Sequence, residues 1–405
     1  MTLAQQFDAL TAADLRARGS VKWTVPAEGE IGAFVAEMDF GTAPVVVEAM
    51  QREIEKNTFG YLPQWMSKEL GEAVADWQKE RYGWAVDPAD VHPLPDVIKG
   101  LEVAITHFSR PGSPVVLPTP AYMPFLSVPP FLGREIIQVP MFNDNGYYTL
   151  DLDGLDKAFA AGGQMIILCN PYNPLGRVFG REEMLALSEI VAKHDGRVFS
   201  DEIHAPLVFP GGPQHVPYAS LNEVTAGHTI TATSASKAWN LPGMKCASLM
   251  LSNDADREHF EEIGHFATHG ASTLGVASNI AAFREGAPWL DEVLAYLDGN
   301  RKAMADLLAE RLPGVVYRPP DGTYLSWLDF RAYDLPGTVG EFVKERAGVV
   351  VNDGPAFGEP GRGFVRLNLA APRPLLGEIV DRIAKAVEEH QPADPAAATA
   401  ADADV

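Results

Sequence analysis

The stretch HTITATSASKAWNLPGMKCA, residues 228–247, begins with β-branched and small residues and ends in apolar sequence broken by proline and glycine. Its first part reads as a strand. Lys237 therefore falls just past a strand end, behind the small hydroxylated residues Ser234 and Ser236. A lysine placed there can be partly desolvated, and desolvation favours the neutral amine, the form able to attack an aldehyde. Taken alone, the segment also fits an exposed loop lysine.

Working outward, the region from Val91 to about Leu251 alternates short apolar runs with helical segments. SPVVLP, EIIQVP, QMIILCN and GRVFSDE are such runs, and REEMLALSEIVAKH is a helical one. This alternation predicts an α/β fold with a largely parallel, buried sheet and helices on both faces. Upstream, VVVEAMQREIEKN and KELGEAVADWQKERYG carry apolar residues on one helical face, separated by a turn-rich stretch with Gly60 and Pro63. Downstream, the helical WLDEVLAYLDGNRKAMADLLAERL leads into strand-like GVVYRP, TYLSWLDF and GRGFVRLNLA, then the amphipathic PLLGEIVDRIAKAVEEHQ. These segments predict a smaller α/β domain over 288–390, following a large domain over 44–287. Residues 1–43 are expected to contribute to the small domain. Residues 391–405, rich in Ala, Asp and Pro without periodicity, read as a disordered tail.

Composition narrows the function classes. The chain has 405 residues, 46% hydrophobic, enough for two compact domains or one large one with a lobe. Its formal charge of -22 repels nucleic acid and anionic membranes, while leaving room for a small anion held by local cations and helix dipoles. Two cysteines cannot build a disulfide framework or a multi-cysteine metal site, and the ten histidines show no tight ligand spacing. No apolar run is long enough to span a bilayer, and the start lacks a secretion signal. A soluble cytoplasmic protein without a metal is expected.

Three segments in order, NPYNPLG (170–176), VFSDEIH (198–204) and SASK (234–237), resemble the active-site strands of the fold-type I pyridoxal 5'-phosphate (PLP) superfamily of aminotransferases and related lyases. The spacings agree with that pattern: 28 residues from Asn173 to Asp201 and 36 from Asp201 to Lys237. The resemblance runs from about Lys22 to His390. It implies a mostly parallel seven-stranded sheet in the large PLP-binding domain, with the cofactor joined to Lys237 as a Schiff base.

The same resemblance distributes the other roles. Asp201 resembles the carboxylate that pairs with the pyridine nitrogen and keeps it protonated; a helix cap is the alternative. Asn173 resembles the donor to the cofactor's phenolic oxygen and a guide for the substrate carboxylate, where a turn asparagine is the plainer reading. Tyr122, in PTPAYMPF, resembles the aromatic stacked on the ring and joins Lys237 as a catalytic candidate, or is a packing residue. Ser234, Ser236 and the backbone amides of Val97 and Ile98 are expected to form the phosphate cup at a helix start. Relatives often carry Gly or Ser where Asp96 stands, so its carboxylate is expected to turn away or cap the helix. Lys245 lies where many relatives place a phosphate-binding arginine, though a surface lysine fits as well. Tyr61, in FGYLP, resembles the tyrosine that reaches a neighbouring subunit's phosphate, which implies a homodimer with shared active sites. Arg366, in the apolar GFVRLNLA, resembles the arginine that clamps a substrate α-carboxylate.

One position departs from many aminotransferases: His204 stands where they carry tyrosine three residues after the aspartate. It is assigned to the cofactor site, with a satisfied core histidine as the alternative. DEIH, GSVKW and AEMDF together look like the cystathionine β-lyase or C–S lyase branch. The expected activity is β-lyase cleavage of S-substituted cysteines to thiol, pyruvate and ammonia. An aminotransferase is the alternative, and a regulatory protein that keeps the fold without turnover is a more distant one.

Overall fold

The computed structural model describes residues 1–390, so the tail assigned to 391–405 lies outside the described residues. Two amphipathic helices, α1 (Pro44–Glu55) and α2 (Gln64–Tyr82), precede the sheet. Gly83 ends α2 in the left-handed conformation at φ 71, where a side chain would be strained.

Seven strands follow: β1 (Val91–Leu94), β2 (Val115–Thr119), β3 (Ile136–Pro140), β4 (Met165–Cys169), β5 (Arg197–Asp201), β6 (Thr229–Thr233) and β7 (Ala247–Leu251). They form one sheet in the order β1-β7-β6-β5-β4-β2-β3. Only β7 runs antiparallel to its neighbours, and the remaining pairs are parallel. This is the mostly parallel seven-stranded sheet expected from the sequence. The inner strands β2, β4, β6 and β7 are buried along their whole length and β5 everywhere but at Arg197, whereas β3 at the edge is partly exposed. Sequence follows position, because strands covered on both faces read as continuous apolar runs.

Helix α3 (Val97–His107) begins just beyond the C-terminal end of β1. After the sheet come α4 (Thr273–Glu285) and the long α5 (Ala287–Arg311). A second sheet of four strands contains β8 (Val316–Tyr317), β9 (Leu325–Asp329), β10 (Asn352–Asp353) and β11 (Phe364–Asn368), in the order β8-β9-β11-β10. Helix α6 (Arg373–His390) packs on α5.

The N-terminal segment joins this second region: Ile31 and Gly32 pair in parallel with Val349 and Val350. Its conformation is pinned by a buried ion pair, Lys22 Nζ to Asp39 Oδ2 at 2.9 Å, with Trp23 Nε1 donating to Asp39 Oδ1 at 2.7 Å. The GSVKW and AEMDF runs are thus partners in space. Unpairing either charge would leave the other buried, at a cost of roughly 3 to 5 kcal/mol.

Candidate active site

Strand ends assemble the site. In a parallel sheet the chain leaves every strand at the same edge, so loops after the strands converge there. Asp201 is the last residue of β5, Lys237 lies four residues past β6, Asn173 four past β4, Tyr122 three past β2, and Val97 opens α3 after β1. All five line one open cavity, together with Ile98, His204 and Ser236.

Lys237 is half-buried and donates from Nζ to the carbonyl of Ala36 at 3.1 Å. Burial is the main reason its amine is pulled down to about 8, with Arg366 adding to the effect. Asp201 is pushed up to about 7, again chiefly by burial, against the pull of the Ile203 amide that donates to its Oδ1 at 3.0 Å. A carboxylate so placed lacks a cation in its immediate hydrogen-bond shell. A protonated ring nitrogen would supply one. His204 is held neutral, well below the ordinary histidine range, by burial and then by Lys237 and Arg366. Its Nδ1 is buried without a partner.

Arg366 is 2% exposed in the middle of β11. Its fork is aimed by neutral acceptors: Nη1 donates to Asn173 Oδ1 at 2.9 Å, and Nη2 to Asn352 Oδ1 at 2.6 Å and to the Phe34 carbonyl at 2.9 Å. Its Nε is buried without a partner, and no carboxylate pairs with it among the described residues. Burial lowers its guanidinium to about 10. A buried cation without a counter-ion is costly, which makes this an anion site in waiting.

At the other end, the amides of Val97 and Ile98 open α3, where the helix dipole favours an anion. Ser236 reaches this cavity, whereas Ser234 is turned away: its hydroxyl donates to the Cys246 carbonyl at 2.7 Å and accepts from the Ser236 amide at 3.0 Å. Ser234 therefore sets the turn that presents Ser236. Asp96 caps α3, accepting from the Lys99 amide at 2.8 Å, and it also forms an ion pair with Lys245. Tyr122 precedes a helix and stands edge-on to Phe125, with ring centroids 5.4 Å apart. Tyr61 does not line this cavity. It is 94% exposed in a neighbouring groove that includes Phe59, Leu62 and Pro93.

Several site groups escaped the sequence reading. Ala36 places its carbonyl between Lys237 Nζ and the Tyr324 hydroxyl, which donates to it at 2.9 Å. The segment carrying Ala36 is tied down on both sides, by Asn368 to the carbonyls of Val35 and Glu37 and by Asn240 to the amide and carbonyl of Met38. Asn352 and Phe34 orient Arg366, and Cys169 and Cys246 add apolar wall. AEMDF was the only signal for any of these.

The residues present fit pyridoxal phosphate: an amine of lowered basicity, a buried carboxylate, an unpaired imidazole nitrogen and a helix N-terminus converge on one cavity. Fold and site together define a fold-type I PLP enzyme. The chain belongs to the aminotransferase class I and II family, whose family model matches residues 34–383. It is 40% identical over 374 residues to the cystathionine beta-lyase of Corynebacterium glutamicum, covering 92% of this chain and 97% of that one. Cystalysin from Treponema denticola, solved with pyridoxal 5'-phosphate, superposes with a TM-score of 0.88 at 30% identity, covering 95% and 99% of the two chains. The PLP-bound C–S lyase from Staphylococcus hominis gives a TM-score of 0.85 at 29% identity over 94% and 97%.

Proposed function

We propose that this protein is a PLP-dependent C–S β-lyase that cleaves S-substituted cysteines, cystathionine among them, to a thiol, pyruvate and ammonia. Its likeness to the Corynebacterium glutamicum cystathionine beta-lyase along nearly the whole chain supports the reaction class. The observation that carries the substrate class is the buried Arg366 without a carboxylate partner, which stands directly behind the cavity wall and donates to Asn173 of that wall. Arg366 is suited to hold an α-carboxylate through a planar fork, with Asn173 and Asn352 fixing its orientation. No arginine stands in the cavity wall itself among the described residues, so beyond Arg366 behind Asn173 a dicarboxylate side chain would find no second fork.

When bound, the cofactor supplies an aldehyde for the substrate amine and a ring that stores the electron pair released at Cα. Lys237 can hold it covalently at rest and, once displaced, take the proton from Cα. Its lowered basicity keeps a useful share of neutral amine near neutral pH. Asp201 is placed to keep the ring nitrogen charged, and His204 offers an unpaired Nδ1 for the phenolic oxygen or the substrate. Tyr122 supplies an aromatic wall and a hydroxyl near the reacting atoms. Val97, Ile98 and Ser236 are suited to the phosphate, with Lys245 at the rim.

The test is steady-state pyruvate formation from cystathionine and S-alkyl cysteines with no added 2-oxo acid. Sustained turnover is expected, because β-elimination returns the cofactor to its starting form. Failure on every thioether together with ready amino transfer to a 2-oxo acid would replace this reading by the aminotransferase one.

The working unit is proposed to be a homodimer in the cytoplasm. Tyr61, Phe59 and Phe266 are exposed large apolar residues, and the groove they line reaches Pro93, two residues before Pro95 of the cavity wall. Such a patch suits a second copy, whose Tyr61 would add a donor to the phosphate cup. Light scattering should give twice the chain mass, and Tyr61→Phe should loosen PLP while preserving the dimer. A monomer with full cofactor affinity would overturn this.

A further inference from the structure

Asp96 and Lys245, 149 residues apart, meet at the rim of the cavity beside the amides of Val97 and Ile98. The loop that presents Lys245 has little freedom. Lys245 has the left-handed φ of 54, which is uncommon for a side-chain-bearing residue, and its carbonyl accepts from the Ser272 amide at 3.0 Å. Gly275 of α4 lies so close that an added Cβ would sit 2.1 Å from the Met244 carbonyl. Only the half-exposed side chain of Lys245 is free to choose between anions.

Asp96 makes two claims on the anion site at once. One oxygen occupies the Lys99 amide in the first turn of α3, and the other holds Lys245. A dianionic phosphate entering there must share or displace that lysine while standing near a like charge. We propose that Asp96 is a built-in restraint on the phosphate cup: by engaging Lys245 and adding negative charge, it sets PLP affinity below what the same cup would reach without it. The inference rests on the reading of this cavity as the PLP site. It also separates two functions of one side chain, since asparagine caps a helix about as well as aspartate but cannot hold the lysine by charge.

The experiment is PLP titration of the cofactor-free, full-length protein followed by tryptophan fluorescence, with thermal shift by inorganic phosphate as a second readout. Asp96→Asn is expected to tighten PLP about fivefold, the upper range for one partly exposed charge pair. The gain should shrink as salt rises. Lys245→Met is expected to weaken binding by a similar factor, and the benefit of Asp96→Asn should diminish in the Lys245→Met background. Asp96→Ser, another capping residue, should tighten PLP in the same direction, which guards against a misfolded asparagine variant. Wild-type binding of PLP with both Asp96 variants binding equally or more weakly overturns the restraint alone. A wild-type chain that takes up no PLP overturns the cofactor reading and this inference with it.

Discussion

Lys237→Ala yields a colourless protein whose lyase turnover falls by at least about a thousandfold, since one side chain both anchors the cofactor and moves the Cα proton. Absorbance of the purified protein and pyruvate release measure the two losses separately. A Lys237→Ala protein that keeps the wild-type visible band would sink the assignment. The wild type carries a pH signature as well. Burial brings the Lys237 amine down to about 8, so its neutral, attacking fraction grows roughly tenfold per pH unit below that value and levels off above it. Covalent PLP uptake by the cofactor-free protein should follow that curve.

Lys237 and the buried Asp201 also shape the stability of the cofactor-free fold. Asp201 is raised from 3.8 to about 7, so between those values the folded state binds more protons and stability falls as pH rises. Lys237 is lowered from 10.5 to about 8, so between 8 and 10.5 the unfolded state binds more protons and stability rises with pH. These two contributions place a minimum near pH 7 to 8.

The second large effect is at Arg366. Arg366→Ala removes the cation proposed for the substrate carboxylate and leaves Asn173 and Asn352 without their donor, a loss of about 3 kcal/mol or more and so roughly a hundredfold or more in kcat/KM. Arg366→Lys should recover part of the charge but not the fork. PLP uptake should change far less than turnover in both variants, which separates substrate binding from collapse of the site. An Arg366→Ala enzyme with unaltered kcat/KM on an S-alkyl cysteine would show that the carboxylate is held elsewhere.

The cavity residues legible in the sequence lie close to strand ends. Asp201, Lys237 and Asn173 were legible because each sits within four residues of an apolar run, and a parallel sheet sends every such end to one edge. Arg366 stood out because an arginine inside GFVRLNLA has no cheap reason to be there. Tertiary structure alone decided the groups that act through the backbone or across long separations. The carbonyl of Ala36 meets Lys237 over 201 residues, that of Phe34 meets Arg366 over 332, and Asp96 meets Lys245 over 149. A carbonyl is identical in every residue, so no sequence pattern marks the one that will accept. Ser234 and Ser236 make the same point at short range: both read as phosphate ligands, yet only the turn geometry shows that Ser236 faces the cavity while Ser234 faces the chain behind it.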